Sequence, residues 1–237
     1  MTAPLLDVKK LCAWYGRAKI LYDVDLEVGR GEVVALMGRN GAGKSTTFKA
    51  VMGLLERIEG EVEFRGASLR GREPYRIARQ GLGYVPEDRR VYTGLSVLEN
   101  LEVGRQPPRE GAPQWTADKL FGVFPNLREM PHRAGGSMSG GEQQMLTVAR
   151  TLMGNPYLVL LDEPSEGLAP KIVEDMANMI LELKKEGLSV LLSEQNLHFA
   201  HLVADRAYVI EKGHVRFRGT IAELAGNEEA RRAYLSV

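Results

Sequence analysis

The segment GEVVALMGRNGAGKST, residues 31–46, constrains the fold more than any other part of the chain. Its first half is mostly apolar, which is typical of a strand buried on both faces. Its second half is rich in glycine and ends in a lysine and two hydroxyl residues. Apolar residues then follow with helical spacing: Phe48, Val51, Met52 and Leu55. The glycines are therefore predicted to form a tight turn from a strand into a helix.

The spacing within this turn is that of a P-loop, Gly38-x4-Gly43-Lys44-Ser45. Backbone N–H groups without side chains in the way can wrap around an anion, and the helix N-terminus adds its positive dipole end. Lys44 would reach the β- and γ-phosphates of a nucleotide, and the Ser45 hydroxyl would hold Mg²⁺. The alternative is an ordinary glycine-rich turn with a solvated lysine, but the flanking strand and helix favour a nucleoside triphosphate site. The predicted binding residues are Gly38, Arg39, Asn40, Gly41, Ala42, Gly43, Lys44, Ser45 and Thr46.

The composition argues against several other classes of protein. Lys plus Arg and Asp plus Glu both total 31, so there is no overall field that would attract nucleic acid or an anionic membrane. Cys12 is the single cysteine, which excludes an internal disulfide and a cysteine metal cluster. The first residues lack the apolar run of a signal peptide, and YLVLL is far shorter than the roughly 20 residues that cross a bilayer. We expect a cytosolic chain that reaches a membrane only through a partner.

Apolar strands alternate with amphipathic helices along the chain, which predicts an α/β fold with a mostly parallel central sheet. The first thirty or so residues instead alternate apolar and polar side chains, as short antiparallel strands do. A helix is predicted from Pro170 to Gly187, because proline favours the first helical position and glycine the end. The proline-rich residues 104–115 are predicted to form an exposed loop inside a lobe. His198 and His201 have no carboxylate at ligand spacing, so we expect surface or packing histidines and no metal site.

Asp162 and Glu163 follow the apolar run of LVLLDEP, at the carboxyl end of a predicted strand. Ligands of α/β sheets bind at this edge. Asp162 is predicted to bind Mg²⁺ through its water shell, and Glu163 to orient and deprotonate the attacking water. The alternative is a solvated strand end or a helix cap, which the P-loop in the same chain makes less favourable.

The segment SMSGGEQQM, residues 137–145, precedes another apolar helix stripe. Ser139 and Glu142 have the spacing of a capping box, and Gly140 and Gly141 ease the entry into the helix. The same geometry creates a second helix N-terminus that can bind an anion. Since the P-loop already holds the phosphates from one side, the second anion site is best explained if it closes over the nucleotide of another copy.

The P-loop, SGGEQ and LLDEP in this order resemble the nucleotide-binding subunits of ABC transporters along essentially the full length. The resemblance implies one ABC ATP-binding domain over residues 1–237. Its α/β fold would combine a RecA-like core, an N-terminal antiparallel β subdomain and a helical lobe at roughly residues 84–155. ATP and Mg²⁺ would be its cofactors, and a groove in the lobe would receive a coupling helix of a membrane subunit.

The resemblance also implies a head-to-tail dimer. Ser139, Gly140 and Gly141 of one subunit would contact the γ-phosphate held by Lys44 of the other. Within SEGLAP, the residues that would reach across the dimer are Ser165, Gly167 and Leu168. Tyr15 matches the aromatic residue that stacks on adenine, although its sequence context alone favours a strand aromatic in the core.

Two positions depart from the commonest pattern of this family. Glu87 stands where most relatives have the glutamine of the Q-loop; its carboxylate keeps an oxygen ligand near Mg²⁺ and water but adds negative charge. Gln195 stands where most have the switch histidine; its amide can donate to the γ-phosphate but cannot become an imidazolium. We therefore favour Glu163 as the base, with Glu87 and Gln195 as further candidate catalytic residues.

Further segments narrow the resemblance to the ATP-binding subunit of branched-chain amino-acid importers: VPEDRRVYTGLSVLENL, SMSGGEQQML, LLDEPSEGLAP, SEQN and RRAYLSV. Importers of urea, short amides or aromatic acids share much of this pattern, so the solute stays open.

The implied partners are a second ATP-binding subunit, identical or homologous, membrane permease subunits and, indirectly, a periplasmic solute-binding protein. The implied location is the cytoplasmic face of the inner membrane. A soluble ABC ATPase that acts on ribosomes or DNA is the rival, but such chains usually carry two cassettes or a long coiled coil. A non-hydrolysing regulatory module is a third reading, disfavoured because Lys44, Asp162 and Glu163 are all present.

Overall fold

The computed structural model describes residues 3–234 of the protein. The terminal segment RRAYLSV contributes to the family resemblance, and its last residues, 235–237, lie outside the described part.

Within residues 3–234, ten strands form two sheets. Their bounds are β1 (Leu6–Tyr15), β2 (Ala18–Val28), β3 (Val33–Met37), β4 (Arg57–Phe64), β5 (Ala67–Ser68), β6 (Leu82–Val85), β7 (Leu158–Asp162), β8 (Ser189–Glu194), β9 (Arg206–Glu211) and β10 (His214–Thr220). The first sheet has the order β2-β1-β4-β5 and is antiparallel, as the alternation of the N-terminal residues predicts. The second has the order β10-β9-β3-β8-β7-β6 and is parallel except for β10. The predicted α/β class with a mostly parallel central sheet is confirmed.

In the described part of the chain, ten α-helices connect and cover these strands. Their bounds are α1 (Lys44–Val51), α2 (Pro74–Arg79), α3 (Val97–Gly104), α4 (Ala117–Val123), α5 (Pro125–Arg128), α6 (Gly140–Leu152), α7 (Pro170–Lys185), α8 (Leu197–Val203), α9 (Ile221–Gly226) and α10 (Glu228–Tyr234). The helix α7 has proline in its first turn and is followed by Gly187 at a φ of 85°, as predicted. The helix α1 ends before Leu55, because Gly53 takes a left-handed φ of 67°. Leu55 still packs, partly buried, against the core.

The central sheet separates two hydrophobic cores. Val34 and Leu36 of β3 point to the side that holds the antiparallel sheet and α1. Val33, Ala35 and Met37 alternate to the other side, where α6, α7 and α8 pack. Each strand of the parallel sheet is thereby covered on both faces, which explains why its sequence is continuously apolar.

The helices α3 to α6 lie within residues 84–155, the range predicted for the helical lobe. The proline-rich loop of this region is only partly exposed: Gln106 is exposed, whereas Trp115 retains 3% of its surface and packs in the core. The indole is large and apolar, so it buries even where the backbone is irregular. Within residues 3–234, no helix has both the length and the apolar composition needed to span a bilayer.

Candidate active site

The P-loop forms the turn between β3 and α1, and different positions in it require glycine for different physical reasons. A Cβ on Gly38 would lie 2.4 Å from the carbonyl oxygen of Ile210, and one on Gly43 would lie 2.8 Å from Leu21 Cδ2. Gly43 also has a φ of 118°, and Gly41 a φ of 79° with no neighbouring atom near its missing side chain. Close packing of the loop on β2 and β9 thus excludes side chains at two of these positions, and backbone conformation favours glycine at the third.

Lys44 is a buried cation in this structure and is not solvated. It retains 3% of its surface, and its Nζ donates to the carbonyl oxygens of Gly38 at 2.8 Å and Arg39 at 3.2 Å. The same Nζ lies 3.0 Å from Glu163 Oε1 in an ion pair. The ammonium is therefore held inside the loop by exchangeable oxygen partners, which phosphate oxygens can replace.

Asp162 meets the P-loop at the carboxyl end of β7. Its Oδ1 accepts hydrogen bonds from Ser45 Oγ at 3.0 Å and from Ser193 Oγ at 2.7 Å, and its Oδ2 accepts from the Tyr84 hydroxyl at 3.2 Å. Burial, with the charge of Asp162, raises the pKa of Tyr84 well above its ordinary value, so the phenol stays protonated and donates. Asp162 is only 2% exposed, and its carboxylate accepts three hydrogen bonds in place of those from water.

The oxygens of Ser45 and Asp162 fit Mg²⁺ in chemistry. Hard cations prefer oxygen ligands, and Mg²⁺ in nucleotide enzymes is held by one or two protein groups together with substrate phosphates. Nowhere in residues 3–234 do three or more His, Cys, Asp or Glu side chains cluster as a metal site. The described residues therefore offer Mg²⁺ an incomplete set of ligands, which phosphate oxygens would complete.

Glu163 has the backbone of a strained site residue, with a φ of 47°. Its N–H donates to Ser193 Oγ at 2.9 Å, so one serine holds both the Asp162 carboxylate and the backbone of Glu163. Burial disfavours the ionised side chain, but hydrogen bonds with Glu166 and Lys44 outweigh it, and the pKa of Glu163 lies below its ordinary value. The pKa of Glu166 shifts in the opposite direction. Its interaction with Glu163, together with burial, raises the pKa of Glu166 to about 7. Both shifts favour the ionised form of Glu163 over that of Glu166.

Glu194 organises the loops beside this site. Its Oε1 accepts the backbone N–H of Ser165 at 3.2 Å, and its Oε2 accepts those of Gln195 at 3.2 Å and Asn196 at 3.3 Å. Burial raises the pKa of this carboxyl, which retains 2% of its surface. One side chain therefore ties the segment after Glu163 to the segment that carries Gln195.

We expect Glu194→Gln to lower the free energy of unfolding by about 1–3 kcal/mol, because an amide NH₂ would face backbone N–H donors that then lack an acceptor. ATP turnover should fall as well, since Ser165 and Gln195 lose a common anchor. Urea unfolding and steady-state ATPase assays measure the two effects, and Glu182→Gln on the exposed face of α7 is the matched control. Equal stability of the two variants would show that Glu194 does not hold these loops.

The residues of SGGEQ form the predicted capping box. Ser139 is the N-cap of α6: its N–H donates to Glu142 Oε2 at 2.7 Å, and its Oγ accepts the N–H of Glu142 at 3.4 Å. A Cβ on Gly140 would lie 2.5 Å from Arg89 Nη1, and one on Gly141 would lie 2.9 Å from Ile172 Cγ2. Across residues 3–234, no hydrogen bond joins this segment to the P-loop of the same chain.

The remaining predicted residues lie at the edges of the site. Tyr15 ends β1 and is 46% exposed, so its reading as a core aromatic is wrong and its ring is accessible. Gln195 is half-buried after β8, beside the carboxyl ends of β3 and β7. Glu87 is exposed, and within the described residues it makes no hydrogen bond to Ser45 or Asp162. The roles of these three side chains stay predictions.

Sequence reasoning missed Tyr84, Glu166, Ser193 and Glu194. Ser193 and Glu194 end a buried strand next to the one that ends in Asp162, so the rule that located Asp162 also applies to them. No such signal marks Tyr84, because its contact joins residues far apart in the sequence.

A P-loop lysine, a serine beside a strand-end aspartate and a buried glutamate together define a P-loop nucleoside triphosphatase. Residues 21–166 match the ABC transporter family, and the chain belongs to it. It is an ATP-binding subunit of that family, whose members are ATPases that power transport.

Known relatives cover almost the whole chain. BraG of Pseudomonas aeruginosa, a high-affinity branched-chain amino acid transport ATP-binding protein, is 43% identical over 98% of this chain and 99% of its own. LptB of Haemophilus influenzae, from a lipopolysaccharide export system, is 34% identical over 98% and 97%. Among solved structures, a nucleotide-free ATP-binding cassette of an ABC transporter superposes with a TM-score of 0.81 at 27% identity, covering 96% of this chain and 97% of that one. A cassette in its ADP conformation gives a TM-score of 0.81 at 27% identity and 98% coverage of each chain, so a protein of this fold binds nucleotide.

Proposed function

We propose that the chain hydrolyses ATP to drive import of branched-chain or other hydrophobic amino acids. The observation that carries this is the 43% identity to BraG, compared with 34% for the lipopolysaccharide export proteins named LptB. A LivF protein of Archaeoglobus fulgidus, named as a probable branched-chain amino acid transport protein, is 35% identical and agrees with this choice. The LptB similarity makes the energising of lipid export the second candidate, and importers of urea, amides or aromatic acids remain alternatives.

In the proposed reaction, phosphate oxygens of ATP replace Glu163 and the loop carbonyls as partners of Lys44. Ser45 and Asp162 would hold Mg²⁺, which neutralises the charge on the phosphates. Glu163, released from Lys44 and kept ionised by Glu166, would accept the proton of the attacking water. Gln195 and Glu87 would lie near the γ-phosphate and its water, and Tyr15 would stack on adenine.

The second half of the site is proposed to come from another ATP-binding subunit in a head-to-tail dimer. Ser139 is exposed at the N-terminus of α6, a helix of 13 residues, and the hydrogen bond of its side chain lies within its own capping box. The dipole at such an N-terminus can stabilise a further anion beside the Glu142 carboxylate. The γ-phosphate bound by a partner's P-loop fits this requirement.

The groove between the sheet edge and the helical lobe is proposed to hold a cytoplasmic helix of a membrane permease. It measures about 550 Å³, and the exposed apolar side chains in its wall are Leu54, Tyr75, Tyr92 and Val103. Arg79 and Arg150 also line it, and within residues 3–234 neither forms an ion pair with a carboxylate. An apolar helix with an acidic side chain is complementary to this surface.

This proposal places the protein on the cytoplasmic face of the inner membrane, bound to permease subunits and dependent on a periplasmic binding protein for its solute. No role with nucleic acid is proposed, because Lys plus Arg and Asp plus Glu balance at 31 each. The longest helix within residues 3–234 has 16 residues, so the long coiled coil of many soluble ABC ATPases is not found there.

Reconstitution with the permease subunits of a branched-chain amino-acid importer from the same organism tests the proposal. In proteoliposomes that contain the cognate binding protein, leucine, isoleucine or valine should stimulate ATP hydrolysis and accumulate inside. Urea, a short amide and an aromatic acid serve as parallel arms, and a lipid extraction assay covers the export reading. Stimulation by one of those solutes alone, or lipid release in place of uptake, would overturn amino-acid import.

A further inference from the structure

Tyr84 contacts both the carboxylate of the nucleotide site and the groove on the lobe side. Its hydroxyl donates to Asp162 Oδ2 at 3.2 Å, while the residue forms part of the groove wall beside Pro86 and Arg90. It lies on β6, which is the edge strand of the six-stranded sheet. Tyr84 therefore lies between the nucleotide site and the groove.

The Tyr84 hydroxyl has a distinct place among the donors to Asp162. Ser45 and Ser193 both donate to Oδ1, at 3.0 and 2.7 Å. Within residues 3–234, Tyr84 is the donor that serves Oδ2. The two serines restrict the position of Oδ1, and a donor on Oδ2 restricts the carboxylate further. The phenol therefore supplies the constraint on Oδ2 that the two serines do not supply.

The groove lies next to the strand that carries the hydrogen bond between Tyr84 and Asp162. β6 has a strand neighbour on the β7 side, and its other side borders the groove. A Cβ on Gly83 would lie 2.8 Å from Thr151 Cγ2, so β6 and α6 pack directly against each other under the groove floor. A helix seated in the groove would press on Tyr84 and its neighbours without touching Asp162.

We propose that Tyr84 is a positioning residue that orients Asp162 for the metal-bound nucleotide and makes this orientation depend on what fills the groove. The dependence on the groove rests on the proposed function, which supplies a permease helix as its occupant. Side chains that hold a metal ligand in place typically change metal affinity or activity by roughly 10- to 100-fold when they are removed.

Tyr84→Phe tests the positioning role in the isolated protein, because it removes the hydroxyl and keeps the ring. Binding of a fluorescent ATP analogue is followed during a Mg²⁺ titration and again in EDTA. The Mg²⁺ midpoint should rise roughly tenfold, and the affinity in EDTA should stay unchanged. Tyr157→Phe, which removes a hydroxyl that donates to the Glu110 carbonyl at 2.8 Å, is the matched control. An unshifted midpoint, or an equal loss of affinity in EDTA, would overturn the proposal.

The dependence on the groove is tested by repeating the titration with the permease complex. The wild-type midpoint should differ between the isolated chain and the complex, whereas that of Tyr84→Phe should be the same in both. If the wild-type Mg²⁺ midpoint is the same with and without the permease, the link between the groove and the nucleotide site is overturned. If the wild-type chain binds no permease at all, the proposed function fails, and the titration of the isolated chain still decides the role of Tyr84.

Discussion

Glu163→Gln should lower ATP turnover by roughly 10²- to 10⁴-fold, the range by which a positioned general base accelerates a reaction. ATP binding should persist or tighten, because the substitution removes the carboxylate that pairs with Lys44 at 3.0 Å. The lysine loses its counter-charge but keeps its hydrogen bonds to the carbonyls of Gly38 and Arg39, so its ammonium still has oxygen acceptors. With hydrolysis blocked, the variant should also accumulate as an ATP-bound dimer.

Three measurements separate these effects: phosphate release, equilibrium ATP binding, and size-exclusion chromatography with ATP. Glu182→Gln on the exposed surface of α7 is the control for loss of a glutamate in general. Turnover that survives in Glu163→Gln would remove this residue as the base. Loss of turnover together with loss of ATP binding would instead assign it a role in holding the P-loop.

Lys44→Ala should fail in a different way, by losing both ATP affinity and stability. Hydrogen bonds to charged groups contribute about 1.5–3 kcal/mol, so ATP affinity should fall roughly 10- to 150-fold. The variant also leaves the Glu163 carboxylate without its cation, and breaking a buried ion pair costs about 3–5 kcal/mol. Since the unpaired group is an ionised carboxylate, the stability deficit should shrink as the pH falls and Glu163 takes up a proton.

Combining Lys44→Ala with Glu163→Gln sharpens the test. The double variant removes both charges, so it should recover much of the lost stability but none of the ATP binding, and the difference measures the coupling of the pair. Lys49→Ala, on the same helix, controls for removal of a lysine. A double variant as unstable as Lys44→Ala would show that the buried pair does not account for the loss.

The sequence predicted the features that are determined by residues close together in the chain. The strand, turn and helix around residues 31–46 follow from apolar periodicity and glycine spacing, and the capping box of Ser139 and Glu142 from two residues three apart. The order of the three motifs along the chain identified the family. Local rules suffice here because backbone conformation and helix capping depend on neighbours in sequence.

The tertiary structure decided which groups face one another. The pairing of Lys44 with Glu163, the closeness of Glu163 and Glu166, and the exposure of Tyr15 depend on how strands and loops meet. The hydroxyl of Tyr84 reaches Asp162 only because β6 and β7 are parallel neighbours in the sheet. A sequence specifies these contacts through long-range packing, and no periodicity in a short segment records which distant side chain will supply a donor.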